Sequence, residues 1–412
     1  MENQKSSFNR RKFLTNAAKV AGVGAVGYLY FKDAKAPEDK ARPMPPITIR
    51  HYFVTKPYLS SIANNSMSIR WITNRNCYSW VEFGEDENLG QKQHAVKDGM
   101  VIANNRIHEI FLERLRPGKK YYYRVASKEI LDFQPYKVAY GETIYSEIYT
   151  FETIDTNPEE VSWLVLNDIH DTPNSFKKLI GLNENNPYDF VFLNGDIFNN
   201  PQSEGEIIDY LLEPSTEVFA THKPMILLRG NHEARGKYAR QLPDYFSSPN
   251  GQYFYFQHGP ALIIAIDTGE DKDDSHSDYA GIIDFNSYRE QQAIWLEELM
   301  QTDLYKNAKY KVVMMHIPTF YNVEAQGELH CRKLFSPLFD QYKVDIVISG
   351  HIHKHGVYPP VKGVHEYPII IGGGPKPGTR TLIRVNANQQ ELKLQMLDDS
   401  GEEVGKYSIK AK

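Results

Sequence analysis

The chain has 412 residues, 41% of them hydrophobic, and a formal charge of −5, which makes it too long for one ordinary domain and too apolar to be disordered. Residues 1–36 hold seven Lys/Arg and two Asp/Glu, so the remainder stands at −10 and has no general electrostatic pull toward nucleic acid or an anionic membrane. Cys77 and Cys331 are the only cysteines; two are too few for a disulfide framework and they read as unpaired structural thiols, with one bridge chemically open to them after export.

Asn9-Arg10-Arg11-Lys12-Phe13-Leu14 sets a twin arginine before a weakly apolar stretch, Ala17 to Phe31, that includes Lys19 and three glycines. The stretch is too short and too polar to span a bilayer comfortably. Ala34-Lys35-Ala36 offers a small-x-small cleavage site. The whole resembles a bacterial twin-arginine export signal over residues 1–36, and implies an exported, periplasmic or cell-surface protein with no stable membrane span once the signal is removed. An ordinary basic N-terminus, or an uncleaved signal serving as a tether, is the competing reading. Residues 37–46, rich in Pro, Ala and charge, read as a linker.

Residues 47–153 give only β signals. Ser66–Trp71 and Tyr78–Phe83 alternate as half-buried strands do, and Pro117-Gly118 feeds the aromatic strand Lys120–Val125. Strands spaced roughly ten residues apart predict an all-β sandwich, and the segment resembles a fibronectin type III module.

After Thr153 short apolar runs alternate with helical patterns. The runs are Trp163–Leu166, Phe190–Leu193, Met225–Leu228, Leu262–Ile266, Val312–Met315 and Val344–Ile348; Glu204–Phe219 and Tyr288–Leu299 read as amphipathic helices. Strands return at Tyr367–Ile371, Thr381–Val385 and Leu392–Met396. Residues 160–412 are thus predicted to form an α/β domain.

Five motifs follow the apolar runs: Asn167-Asp168-Ile169-His170, Gly195-Asp196, Arg229-Gly230-Asn231-His232-Glu233, His316, and Gly350-His351-Ile352-His353. Each places Asp, Asn or His just past the C-terminal end of a predicted buried strand, where open α/β sheets hold their sites. The i, i+2 spacing of Asp168 with His170, and of His351 with His353, lets two ligands converge from extended backbone. Carboxylate and imidazole donors suit divalent first-row metals, and the lack of thiolates argues against a structural zinc site.

In this order, the five blocks resemble the calcineurin-like metallophosphoesterases over residues 160–355, which implies an α/β/β/α sandwich. The resemblance implies that Asp168, His170 and His353 hold one metal, that Asn231, His316 and His351 hold a second, and that Asp196 bridges them. His232 would be the general acid at the leaving group. The fibronectin-like domain, Gln291–Leu296 and Val344–His351 narrow the resemblance to the purple acid phosphatases. One position departs: those enzymes carry a tyrosine ligand three residues after the Gly-Asp aspartate, where this chain has Asn199, while His170 stands where they usually lack a histidine. The expectation is therefore a colourless enzyme with two divalent or mixed-valence ions (Fe, Mn or Zn). It would hydrolyse small phosphate monoesters through metal-activated water. A phosphodiesterase acting on nucleotides or lipid head groups, and a non-catalytic binding protein on the same fold, are the alternatives.

Several features carry two readings. Arg229 lies in a segment similar to that of the Ser/Thr protein phosphatases and could bind substrate phosphate or simply balance charge. Glu233 could orient His232 or a metal ligand, or form a surface ion pair. His330 and His355 read as surface or packing histidines. The acidic loop Asp267–Asp278, with His276, reads as a solvated loop rather than a lid, and Gly372-Gly373-Gly374-Pro375 as a tight turn rather than a phosphate cradle.

Overall fold

The computed structural model describes residues 50–411 apart from 61, 62, 64 and 247–250. The predicted export signal (1–36) and linker (37–46) lie outside the described residues. Among those described, no helix is long and apolar enough to cross a membrane.

The N-terminal strands are β1 (Tyr58–Ser60), β2 (Ser66–Gly84), β3 (Gln91–Gln93), β4 (Val96–Lys97), β5 (Met100–Val101), β6 (Ala103–Glu113), β7 (Lys120–Gln134), β8 (Lys137–Tyr145) and β9 (Tyr149–Glu152). Strand β2 organises the domain. Its first half, Ser66–Ile72, pairs with β6 and β1; after an irregularity between Ile72 and Cys77, its second half pairs with β7. The break turns one strand into a member of two layers. Met67, Ile69 and Trp71 from one half then face Val81, Phe83, Tyr121, Tyr123 and Val125 across a buried core. The Pro-Gly turn and the aromatic strand were legible, and the sandwich forms as the alternation predicts.

The second domain contains β10 (Glu160–Leu166), β11 (Phe190–Asn194), β12 (Met225–Leu228), β13 (Phe254–His258), β14 (Ala261–Ile266), β15 (Tyr310–Met315), β16 (Ile346–Ser349), β17 (Gly356–Tyr358), β18 (Ile369–Ile371), β19 (Thr381–Asn388), β20 (Glu391–Asp398) and β21 (Glu403–Lys410). Among the described residues these form two sheets, ordered β12-β11-β10-β19-β20-β21 and β13-β14-β15-β16-β18-β17. The strands that precede the five motifs run parallel: β10, β11 and β12 in one sheet, β15 and β16 in the other. Their side chains are buried on both faces, which is why they read as unbroken apolar runs. One core lies between the sheets, where Trp163, Val165, Phe190 and Phe192 meet Ile263, Val312, Met314 and Ile348.

Helices cover both outer faces. On one side lie α1 (Asn174–Gly181), α2 (Glu204–Ile207) and α3 (Glu213–Val218), with a π turn, Ile208–Leu212, joining α2 to α3. On the other lie α4 (Phe285–Gln301), α5 (Asp303–Asn307) and α6 (Gln326–Gln341). The predicted helix Glu204–Phe219 is therefore interrupted. Pro214 near the start of α3 has no N–H to give to the preceding turn, and the π turn absorbs the loss. Helix α6 was missed because Pro337 lies inside it, a residue that reads as a helix breaker. The last strand, β21, is half-exposed and Lys-rich, and gave no apolar run.

The two domains share packing. Tyr58 and Ile72 join the apolar cluster beneath α1 and α3. Leu59 N–H donates to Ala220 O at 2.8 Å, Tyr123 Oη to Thr221 O at 2.7 Å, and Arg106 pairs with Glu204 at 2.7 Å. Cys77 and Cys331 are both free and buried, in accord with structural thiols.

Candidate metal centre

The loops that follow β10, β11, β12, β15 and β16 meet over the seam between the two sheets and bring the predicted residues together. Ligand atoms of Asp168, His170 and His353 lie within 4.8 Å of one another, as do those of Asp196, His316 and His351. A third set, His170, Asp196 and His232, joins the two. Asn231 completes the group, its Oδ1 3.0 Å from His351 Nδ1.

The expected route to convergence is corrected. Asp168 and His170 do not lie on extended backbone: their φ angles are 52° and 47°, and His351 and His353 stand at 75° and 55°. Left-handed backbone at non-glycine residues is strained and persists only where surrounding bonds enforce it. Here Asp168 N–H and His170 N–H donate to the carbonyls of Gly195 and Asp196, both at 3.0 Å. Close approach also demands glycine: a Cβ on Gly195, at φ 87°, would lie 2.5 Å from His316 Nδ1, and one on Gly230 would enter the Asp196 carboxylate.

Each carboxylate commits one oxygen to the scaffold and turns the other inward. Asp168 Oδ2 accepts from His351 N–H at 2.9 Å and Asn167 Nδ2 at 2.6 Å. Its Oδ1 has no hydrogen-bond donor and lies 3.3 Å from His353 Nε2. Asp196 Oδ1 accepts from His232 N–H at 2.9 Å, and Oδ2 lies 3.0 Å from His316 Nε2.

The histidine rings are fixed in the complementary sense. His316 Nδ1 donates to Asn194 O at 2.8 Å, leaving a lone pair on Nε2 aimed at Asp196. His351 Nε2 donates to the buried Glu328 carboxylate at 2.9 Å, leaving its Nδ1 lone pair toward Asn231. His170 Nδ1 donates to Asn199 Oδ1 at 3.1 Å, leaving Nε2 only 3.0 Å from His353 Nε2. Lone pairs thus face carboxylate oxygens, and around the buried Asp168, Asp196 and His316 this arrangement costs heavily unless a cation stands between them. The electrostatics of the site without metal make the same demand. Burial by itself would depress His316, but Asp196 and Asp168 outweigh it and raise it to about 10. Burial would raise Asp168, but the neighbouring His170, His353 and His316 rings hold it well below the carboxylate range. The residues therefore fit a pair of divalent cations held by oxygen and nitrogen donors.

His232 sits at the edge of this set. Its Nδ1 donates to Asn199 O at 2.6 Å and its Nε2 faces Asp196 Oδ2 at 3.9 Å. Arg235 points a guanidinium nitrogen at the same Nε2, 3.2 Å away. Burial, helped by Arg235 and His170, lowers the ring below the ordinary imidazole value, against the pull of Asp196 and the Asn199 carbonyl.

Arg229, read as a phosphate ligand or a charge balancer, pairs with buried Asp267 at 2.5 Å and stacks over Phe285 and Tyr288. Glu233 is fully buried rather than a surface partner. Its carboxylate accepts from the backbone N–H groups of Asp196, Ile197, Phe198 and Gly230 at 2.6–3.1 Å, tying the second motif to the third. The loop Asp267–Asp278 is not simply solvated, since Asp267, Thr268 and Glu270 are buried and Glu270 clasps Arg235. Nor do Gly372–Gly374 form a tight turn; they run without regular structure beneath the site, against Asn167 and His353, with the turn coming at Lys376–Thr379. His330 faces Glu290 from α6, half-buried, 3.9 Å away.

Asn167, Asn199's side chain, Arg235, Glu270 and Glu328 are the functional contacts that the sequence did not assign. Only Glu328 left a local signal: its Oε2 accepts from Ala325 N–H at 2.8 Å, three residues back, as an acid at the start of a helix does.

Both domains are similar to known proteins. A family model described as calcineurin-like phosphoesterase matches residues 162–355, and one described as purple acid phosphatase, N-terminal domain, matches residues 54–153. Purple acid phosphatase 21 of Arabidopsis thaliana is 22% identical over 363 residues, covering 81% of this chain and 75% of that protein. Acid phosphatase type 7 of Mus musculus is 25% identical over 345 residues, covering 76% and 72%. Among solved structures, purple acid phosphatase PPD1 from yellow lupin (Lupinus luteus) seeds has a TM-score of 0.65 at 16% identity, covering 86% of this chain and 74% of that one. PhoD has a TM-score of 0.61 at 12% identity, covering 86% and 88%.

Proposed function

The chain is a metal-dependent phosphoesterase built from a calcineurin-like phosphoesterase domain behind a purple acid phosphatase N-terminal domain, and from that premise we propose that it is an exported enzyme hydrolysing phosphate monoesters. The observation that carries the reading is the contact between Asp196 Oδ2 and His316 Nε2, 3.0 Å apart with the ring's proton spent on Asn194. Asp168, His170 and His353 would hold one ion, Asn231, His316 and His351 the other, and Asp196 would lie between them. When bound, two such ions supply charge that neutralises phosphate oxygens and makes water acidic enough to ionise near neutral pH.

The protein's own groups do the rest. Asn199 O and Asp196 fix the His232 ring with Nε2 toward the centre. Protonated at Nε2, His232 would give that proton to the departing oxygen of the ester. Arg235, which faces Nε2 in this structure, would turn its donor to a phosphate oxygen when the ring takes up its proton. Export rests on Asn9–Leu14 and the small-residue site at Ala34–Ala36.

The test compares p-nitrophenyl phosphate with bis-p-nitrophenyl phosphate on metal-loaded protein. Turnover of the monoester well above that of the diester is expected. Turnover confined to the diester would replace the monoesterase reading with the phosphodiesterase one.

A further inference from the structure

Asn199 is solvent-exposed, yet all four of its polar groups are engaged by residues of the site. Its N–H and Nδ2 donate to the two oxygens of Asp171, at 3.1 and 2.6 Å. Its Oδ1 accepts from His170 Nδ1 at 3.1 Å, and its main-chain carbonyl accepts from His232 Nδ1 at 2.6 Å. An exposed asparagine ordinarily gives these groups to water. Asp171 is itself held at φ 54°, its N–H bonded to Ile197 O at 3.0 Å, so the anchor of Asn199 is part of the strained loop that positions Asp168 and His170.

The consequence is geometric. Both rings must keep their proton on Nδ1, so both turn Nε2 inward. The two rings stand edge to face with centroids 4.7 Å apart. We propose that Asn199, anchored by Asp171, is a positioning residue that sets the tautomer and orientation of His170 and His232 together, one toward the metal and the other toward the leaving group. This rests on the reading of His170 as a ligand. Removing the Asn199 side chain takes away the bond to His170 but leaves the carbonyl that holds His232, so the two effects separate. Orienting partners of metal-ligating histidines typically change metal affinity by 10–100-fold.

The experiment titrates chelator-stripped full-length protein with Mn2+ or Zn2+ by calorimetry. Wild type and Asn199→Ala are compared with Asn199→Asp, alone and combined with Asp171→Asn. Wild type should bind two ions. Asn199→Ala should bind one of the two about 10–100-fold more weakly and leave the other unchanged. Asn199→Asp sets two carboxylates against each other and should be worse; adding Asp171→Asn restores a donor–acceptor pair with the roles exchanged and should recover the affinity. Wild-type binding of two ions with identical isotherms for all variants overturns the positioning role and leaves the metal site standing. Failure of the wild type to bind any ion overturns the ligand reading and this inference with it. Because Asn199 is exposed, the variants should fold; a far-UV circular dichroism spectrum and melting curve like those of the wild type check this.

Discussion

His316 Nδ1 donates to the carbonyl of Asn194 at 2.8 Å, and its Nε2 therefore meets Asp196 Oδ2, 3.0 Å away, as lone pair against carboxylate. Both groups are buried. In protein without metal a proton must occupy this contact, which is why His316 is raised to about 10. Cation binding replaces that proton.

Stability should therefore follow metal. Chelator-stripped protein should melt at a lower temperature than protein with Mn2+ or Zn2+ present. At a cation concentration a hundredfold above Kd the gain is about 2.7 kcal/mol per site. Asp196→Ala should lose most of the shift and all turnover. Differential scanning calorimetry checks this; equal metal-dependent shifts in both proteins would remove Asp196 from the bridging position.

His232→Ala should retain metal but lose turnover according to the leaving group. On an alkyl phosphate, whose alkoxide needs a proton, the loss should be about 10²–10⁴-fold. On p-nitrophenyl phosphate it should be much smaller. Steady-state kinetics on both esters decide, and undiminished turnover of the alkyl ester would end the general-acid assignment.

Arg229 gives a separation of roles. Its partner Asp267 is fully buried, and among the described residues the Asp267 carboxylate otherwise accepts only from Gly269 N–H at 3.0 Å, on its other oxygen, and from Tyr288 Oη at 3.2 Å. Arg229→Ala should destabilise the fold by about 3–5 kcal/mol, because a buried charge is left without its partner. KM should not change. Urea unfolding together with kinetics distinguishes this from phosphate binding, for which KM would rise while stability held.

The fibronectin-like domain carries its own pH dependence. His108 lies beneath Trp71 with Nε2 2.9 Å from Thr73 Oγ1, and burial, aided by His51 and Arg106, lowers it from 6.5 to about 3. The unfolded chain takes up this proton near pH 6.5, while the folded chain refuses it until about pH 3. Its contribution is thus fully present above 6.5 and declines as pH falls, by about 1.4 kcal/mol per pH unit. Unfolding free energies at pH 7 and pH 5 should fall more steeply for wild type than for His108→Gln. Parallel slopes would show that His108 does not titrate this way.

The metal set was legible because of burial. Strands β10, β11, β15 and β16 are largely buried and apolar, so the first acidic or histidine residues after them stand out as Asp168, Asp196, His316 and His351. What orients those residues was not legible. Glu328 reaches His351 from 23 positions away, and Asn199 reaches His170 across 29; such contacts depend on how loops from two sheets meet, which no local spacing encodes. The same holds for Arg229 and Arg235. They flank one motif, and the sequence drew attention to the first, but the turn His232–Ala234 directs the second to the cleft. Asn199 was visible only as a departure from the purple enzymes, and its work became apparent from four hydrogen bonds.

The proposed metal site holds two ions with Asp196 between them. Anomalous scattering from crystals of the protein grown with Mn2+ tests it most directly. Two peaks are predicted, one among Asp168, His170 and His353, the other among Asn231, His316 and His351, with the Asp196 carboxylate touching both. A single peak, or peaks that leave Asp196 without contact to one ion, would contradict it.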